Sequence, residues 1–485
     1  MTSDARTAII GAGFSGTLLA IHFLRHAEAG DRIMLFEKSP PFGRGIAYGA
    51  ESDSHLLNVR AGSMGAFEED PAGFLAWLNS RESGDIRPLC RPVSPDIFAP
   101  RRLYGRYLQH CLQRTLSEPG NEYLFRPVAG EVTDLAQGPD GLTVKLADGR
   151  TFEADRAVLA LGNLPPDRNE PPFYVGDPWD EAALADLDPA DDVLIVGTGL
   201  TMIDKVLSLQ DRGHAGRIHA VSRHGLLPQV HAPDGGHRHP WRLSIPLPAS
   251  SVGLLRVVRA EAEHALAKGR AWQEVIQAMR PHVQLAWQRL PMEQRRRFLR
   301  HLRPWWDIHR HRISPEAAAR IERLMRSGQL VVQAGRVESR RPAGDRVEVR
   351  IRRRGGGQAE MLRVARVINC TGPRQDHSGG ESLLLRNLLF RGAVRADPLD
   401  LGLDVDWNCA VLDRYGRSSD RVFAVGPLTR GAFWEITAVP EIRRQCAELV
   451  ARIAEHHARQ QDWRGFHGPA GARWFGRAGG LRRVI

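Results

Sequence analysis

Two Rossmann-like dinucleotide-binding domains, each with a β-meander, and a helical insertion in the second make up the α/β architecture that this sequence predicts. Three observations carry the prediction. A short apolar run, Thr7–Ile10, meets Gly11-Ala12-Gly13-Phe14-Ser15-Gly16, and a helical pattern follows. The same outline returns where Val193–Val196 runs into Gly197-Thr198-Gly199. Between about 228 and 327, a segment that reads as helical at Leu254–Met279 and at Pro315–Ser327 is flanked by proline-rich breaks at Leu243–Pro248, Pro281, Pro291 and Pro304.

The first glycine turn has the full G-x-G-x-x-G spacing. Gly11 permits a tight turn, Gly13 lets a pyrophosphate approach the backbone, and Gly16 lets helix and strand pack closely. The helix start offers free N–H groups and a positive dipole end to phosphates. An acid ending the next strand should bond a ribose, and Ile33-Met34-Leu35-Phe36 ends at Glu37. A strand-rich stretch, Tyr123–Leu161, closes this half with an apolar run before Gly162. The second half repeats the plan. Leu330–Gln333 and Val347–Ile351 alternate, Gly355-Gly356-Gly357 turns the chain, and Val364–Cys370 runs into Thr371-Gly372-Pro373. Each half reads as a βαβ unit plus a meander that returns to a parallel sheet. An echo of this length is harder to produce by chance than a single glycine motif.

Two nucleotide sites on one chain suggest an enzyme that holds a flavin and takes electrons from a nicotinamide. Gly197, Gly199, Leu200 and Thr201 form the second candidate site, but Met202 stands where a third glycine is expected. A side chain there should push helix from strand or demand compensation. The next strand, Ile218–Val221, ends at Ser222-Arg223-His224 with no acid, so a 2′-phosphate is favoured and NADPH is expected over NADH.

With 485 residues the chain exceeds one compact core, so several lobes are expected. A hydrophobic share of 42% and a charged share of 25% are ordinary for a soluble globular protein. The net charge of +11 is carried almost wholly by arginine, since Lys38, Lys145, Lys205 and Lys268 are the only lysines. No motif for nucleic acid accompanies it, and GC-rich coding explains an arginine bias, with some charge left to attract anionic cofactors. Cys90, Cys111, Cys370, Cys409 and Cys446 include no C-x-x-C pair, which argues against a dithiol–disulfide reductase. The first strand begins within about six residues of Met1, and no apolar run reaches the roughly 18 residues of a membrane span. These features predict a cytoplasmic protein without a membrane partner, and no ligand cluster points to a metal. Oligomeric state is not legible.

The stretches Gly43-Arg44-Gly45-Ile46-Ala47-Tyr48, His55-Leu56-Leu57-Asn58-Val59 with Met64, and Arg101–Leu108 resemble the bacterial FAD/NAD(P)-binding family of two-dinucleotide-fold flavoproteins. The last stretch is also distantly similar to a segment of the lysine and ornithine N-hydroxylases. Leu200-Thr201-Met202-Ile203-Asp204 likewise resembles that family, so Met202 is no private defect. The resemblance implies FAD at the first site, with Gly11, Gly13 and Gly16 facing the pyrophosphate and Glu37 the ribose. It implies that Val132 meets adenine through its backbone, and that the loops at Gly45 and Leu57-Asn58 approach the ribityl chain and ring. Phe14, Ser15, Lys38, Gly162, Gly426 and Thr437 complete the candidate FAD contacts.

Near the C-terminus Val422–Val425 reads as a buried strand ending at Gly426-Pro427. A helix follows, with Thr437 as its N-cap, Pro440 in the first turn and Glu441 by the dipole end. In similar flavoproteins that helix points at the flavin pyrimidine. Many relatives of the wider fold carry Gly-Asp where this chain has Gly426-Pro427. Asn58 and Trp434 are the catalytic candidates: His55-Leu56-Leu57 could equally be core, and Trp434 could wall the ring or simply pack. The insertion could cap an active site or serve packing alone. Within it, Pro304–Arg312 could bind an anion or form a basic helix edge, and His231, His237 and His239 read as loop residues.

The expected boundaries are 1–165 and 360–455 for two parts of an FAD domain, 188–355 for the NAD(P) domain, and 456–485 for a tail without assigned function. The expected function is an NADPH-dependent FAD monooxygenase, N-hydroxylase-like, acting with molecular oxygen on a small polar metabolite. One alternative is a flavin oxidase or dehydrogenase reduced directly by substrate, with a vestigial second site. Another is a non-enzymatic flavin-bearing partner protein.

Overall fold

A computed structural model describes residues 5–49, 52–164, 173–180, 183–232, 240–244, 246–356, 358–372 and 382–467, with side chains to 455. His237, His239, Gly357, Pro373 and the tail beyond 467 lie outside the described residues.

The strands in chain order are β1 Arg6–Ile10, β2 Arg32–Glu37, β3 Phe125–Ala129, β4 Val132–Gln137, β5 Leu142–Leu146, β6 Thr151–Ala154, β7 Arg156–Leu159 and β8 Tyr174–Val175. There follow β9 Val193–Val196, β10 Ile218–Ser222, β11 Leu330–Ala343, β12 Arg346–Arg353, β13 Glu360–Val364, β14 Arg366–Asn369, β15 Ala410–Leu412 and β16 Ser418–Ala424. Among the described residues the first sheet has the order β15-β16-β7-β1-β2-β3, and β4-β5-β6 stands apart as the first meander. The second sheet runs β13-β12-β11-β10-β9-β14-β8.

In both halves the meander hands the chain back beside the opening strand: β7 lies parallel to β1, and β14 parallel to β9. The halves differ in one respect. Strand β11 is parallel to β10 over Leu330–Ala334 and then antiparallel to β12 from Gly335, so the second meander continues its sheet. Burial explains the apolar runs. Val193, Leu194 and Ile195 are all fully inaccessible, as a parallel strand covered on both faces requires.

Four expectations need correction. Strands β13 and β14 belong to the second sheet, so the second lobe does not end at 355 and the first resumes only after 369. Strand β8 pairs with β14, so that lobe also begins before 188. The cause is the returning strand itself, which cannot leave the sheet it completes. Tyr123 lies in a short helix, Asn121–Leu124, and the strand opens at Phe125. The helical pattern at Leu254–Met279 is two helices, Ser251–Ala267 and Trp272–Met279. Gly269, at φ +69°, takes the left-handed conformation that ends a helix two residues past its last regular turn.

Met202 resolves simply. The helix Phe14–His26 begins one residue past Gly13, and the helix Leu200–Asp211 begins one residue past Gly199, so the two turns share one geometry. Where Gly16 makes a backbone contact, Met202 is fully buried among Val193, Val206 and Ile368. Met202→Gly, which would complete the three-glycine spacing, should therefore destabilise the protein by ~3–5 kcal/mol, through a cavity and a helical glycine. Urea unfolding measures it, and an unchanged midpoint would contradict this packing.

Candidate functional site

The first glycine turn touches backbone on one side and stands open on the other. Gly11 has φ +103°, and a Cβ there would lie 2.5 Å from the Ala160 carbonyl oxygen. A Cβ on Gly16 would lie 1.8 Å from the Gly11 oxygen. Gly13 is different: its Cβ would meet only the Gly45 Cα, at 3.7 Å. The helix start therefore faces free space roofed by the Gly45 loop, with N–H groups unused by the helix. Glu37 accepts the Ala12 N–H at 2.8 Å and, through its other oxygen, the Ser39 N–H at 3.1 Å. It braces the turn and keeps lone pairs for a ribose. The Glu37 carbonyl accepts the Gly130 N–H at 2.9 Å, which draws Gly130-Glu131-Val132 alongside, Val132 being buried. Lys38 is exposed beside it, and Gly162 stands at φ +68° with open space around it. A Cβ on Gly426 would come within 2.8 Å of the Ser15 Oγ, so the C-terminal segment closes against this helix. Phe14 packs edge-on to Tyr48 at 6.1 Å. This cradle fits an FAD pyrophosphate and ribose.

The second turn repeats the pattern. A Cβ on Gly197 would lie 2.2 Å from the Cys370 carbonyl oxygen, whereas one on Gly199 would meet nothing within 4 Å. The Thr198 hydroxyl bonds the Leu226 carbonyl and, at 2.8 Å, the Ser222 hydroxyl, which also accepts the Gly225 N–H. Ser222 thus shapes the turn beyond β10. Arg223 is exposed there, and Arg354 bonds His224 Nδ1 at 2.7 Å, adding a second guanidinium that sequence reasoning missed. Its only signal was the arginine run before Gly355.

The two sites meet. Leu57 and Asn58 from the first lobe and Leu200 from the second line one small cavity of about 20 Å³, while Thr201 is half-buried one position on. Arg101, in the Arg101–Leu108 stretch, pairs with Asp204 at 3.0 Å, and His55 Nε2 bonds Ser208 Oγ at 2.7 Å. His55 is therefore joint rather than ligand. The Asn58 carbonyl accepts the His231 Nε2–H at 3.0 Å. Burial, with Arg312 and Arg60 nearby, pushes the His231 pKa down to about 4.

Thr437 does not cap the last helix, which opens at Val439 behind Ala438; the Thr437 N–H instead donates to the Glu435 carbonyl at 2.7 Å. Glu435, at φ +70°, turns the chain there and delays the helix by one residue. Pro440 still falls in the first turn. Glu435 pairs with Arg310 at 3.1 Å and accepts the Trp306 indole N–H at 2.7 Å. Burial works to raise its pKa, but His311, Arg310 and Trp306 outweigh this and hold it below the carboxylate range. Glu441 pairs with Arg280, whose Nη2 lies 2.8 Å from Oε2. The Trp287 indole donates to the Gly431 carbonyl at 2.8 Å, and its ring stacks on Trp434 at 4.8 Å. Within the segment 304–312, Arg310 is committed to a dock for the insertion, and Arg312 donates to the Gln273 carbonyl at 3.2 Å. Behind that dock the insertion encloses a cavity of about 540 Å³, with Trp434 in its wall.

Cys409 and Cys446 are buried near the first helix, and burial pushes the Cys409 thiol up to about 12, away from thiolate chemistry. Among the described residues no three His, Cys, Asp or Glu come together as a metal site. No helix there is long and apolar enough to cross a membrane.

Residues 8–164 match the FAD-NAD(P)-binding family and form a domain of that kind. The aurachin C monooxygenase/isomerase of Stigmatella aurantiaca is 31% identical over 169 residues, covering 33% of this chain and 41% of that protein's length. The ornithine N-hydroxylase of Kutzneria sp. 744 superposes with a TM-score of 0.62 at 16% identity, over 94% of this chain and all of that one. The L-lysine 6-monooxygenase of Pseudomonas syringae gives 0.62 at 18% identity, over 94% and 99%. The fold is therefore that of the two-dinucleotide flavin monooxygenases.

Because a Cβ on Gly13 meets only ordinary contact, Gly13→Ala should leave the apoprotein's thermal midpoint within a few degrees and lower bound flavin at least tenfold. Flavin content against unfolding temperature checks this. His231 has a folded pKa below its unfolded value of about 6.5, so its contribution to stability is present above pH 6.5 and is lost as pH falls toward 4. His231→Gln should make stability fall less steeply over that window, as denaturant midpoints from pH 7 to 4 would show.

Proposed function

We propose that this chain is an FAD-dependent, NADPH-using monooxygenase. The observation that carries the reading is the convergence of Leu57 and Asn58 with Leu200, which brings the loop of one nucleotide cradle against the helix start of the other. Bound FAD would supply electron transfer from NADPH and activation of dioxygen. Overall, substrate, O2, NADPH and a proton give oxygenated product, NADP+ and water.

The protein's own contribution is binding, orientation and exclusion of water. Backbone N–H groups past Gly13 and Gly199 hold the two pyrophosphates, and Glu37 holds the ribose of FAD. Arg223, with Arg354 beside it, takes the 2′-phosphate. The insertion, fastened by Glu435 and Glu441, screens the reacting end from bulk water, as oxygen chemistry on a reduced flavin requires. The Kutzneria ornithine N-hydroxylase of this fold was solved with reduced FAD, NADP+ and L-ornithine, which supports a place for both cofactors. Against an oxidase with a vestigial second site stands the geometry of Met202, the departure from the three-glycine spacing, which packs into the core while the helix still starts one residue past Gly199.

Anaerobic addition of NADPH to the yellow holoprotein should bleach it, and substrate-stimulated oxidation under air should follow. Arg223→Ala should raise the KM for NADPH about tenfold, the loss of roughly 1.4 kcal/mol expected of one exposed charged contact, and leave that for NADH unchanged. Flavin that neither nicotinamide reduces would end this reading.

A further inference from the structure

We infer that the 540 Å³ cavity inside the insertion is the substrate chamber, and that it takes an uncharged, largely apolar molecule built on rings. The inference rests on the monooxygenase reading and names its substrate class. It departs from the small polar metabolite expected from sequence.

The cavity has the size of a small-molecule site. Its wall is formed by the insertion helices, closed by Trp434 from the first lobe. Val275, Ile276, Met279 and Ala286 make a buried apolar floor. Five tryptophans line it: Trp272, Trp287, Trp305, Trp306 and Trp434. Flat indole faces offer large contact area to another ring at little entropic cost.

Charge decides against an amine. No acidic side chain of the described residues lines the cavity, so an ammonium group would enter without a counter-ion, a costly burial. A tryptophan cage alone can attract a cation. Here, however, the ionisable lining groups are Arg259, His301 and His309, all bases, and Arg259 and His301 are exposed at the rim. Two of the indole N–H groups are already spent, Trp287 on Gly431 and Trp306 on Glu435, while the buried Trp434 N–H has no partner among the described residues and leaves room for a single acceptor on an otherwise apolar ligand. His309 Nδ1 is bonded to the Trp305 carbonyl at 2.7 Å. Apart from the Trp434 N–H and the bases at the rim, what is left lining the space is mostly carbon.

The chamber is also in the right place. Trp434 belongs to the segment that runs from Gly426, packed against Ser15 of the first cradle, to the helix at Val439. A molecule held against Trp434 lies behind the segment that closes the flavin cradle.

The test uses the flavin-loaded protein and N-phenyl-1-naphthylamine, a neutral probe that fluoresces in apolar surroundings. Saturable binding in the micromolar range is expected, weakened at least tenfold by Ala286→Trp, which fills the floor. Flavin content and unfolding midpoint report whether that variant is folded, and Leu255→Trp, at a half-buried wall position, is the second filling variant. L-lysine and L-ornithine, to millimolar concentration, should neither displace the probe nor accelerate NADPH oxidation. No saturable binding, binding unaffected by both folded filling variants, or acceleration by either amino acid overturns the chamber assignment. Flavin that NADPH cannot bleach, with probe binding and its loss intact, sinks the monooxygenase reading while leaving an apolar ligand site.

Discussion

At two places a glycine turn lies so close to the strand returning from its meander that no side chain fits between them. At Gly11 the neighbour is Ala160, and at Gly197 it is Cys370. Each contact fixes a helix N-terminus over the carboxyl ends of a parallel sheet, where open α/β sheets bind ligands. The rest of the site follows from it. Glu37 can brace the Ala12 amide only because β2 ends beside that turn, and Gly426 can reach Ser15 only because β16 lies next to β7. The third glycine matters less. Gly16 is locked against Gly11, yet at the equivalent position Met202 packs into the second core and the helix still starts on schedule.

The insertion is held to the first lobe by charges buried out of water. Glu435 and Arg310 are each at least nine-tenths buried, as is Glu441. Such pairs add little net stability over an apolar joint, because desolvation offsets attraction; removing one partner is what costs heavily. Glu435 also adopts a left-handed backbone conformation, which costs about 1–3 kcal/mol for a residue other than glycine. A joint assembled from unfavourable parts makes more sense as a device of position than of stability. It sets the angle at which the helices around Trp287 meet the segment around Trp434.

Much of this was legible in the chain. The paired glycine turns, Glu37 at the end of β2 and the returning strands rest on short-range rules of spacing and burial, so they could be read locally. The break at Gly269 was also local, and a glycine after Ala267-Lys268 is a helix-end signal that periodicity overrode. Arg354 and the Glu435 dock were not legible, since each joins residues about 125–130 positions apart through the fold alone. Thr437 failed as a cap for a related reason: the turn at Glu435 that shifts the helix start is imposed by Arg310, Trp306 and His311 from the insertion.

The dock and the cavity behind it are one arrangement seen from two sides. Glu435 and Glu441 are the carboxylates that the first lobe presents to the insertion, and both are consumed by Arg280 and Arg310. Trp287 and Trp306 turn their N–H groups the same way, toward Gly431 and Glu435. Every polar group drawn into the joint is one withdrawn from the space beyond it. A site that needed to hold a charged amine would have kept one of those acids facing inward. The chain spends them on fixing the insertion, and so makes a chamber whose selectivity comes from shape and apolar surface. Such selectivity is modest per methylene, but it accumulates over a large rigid ligand.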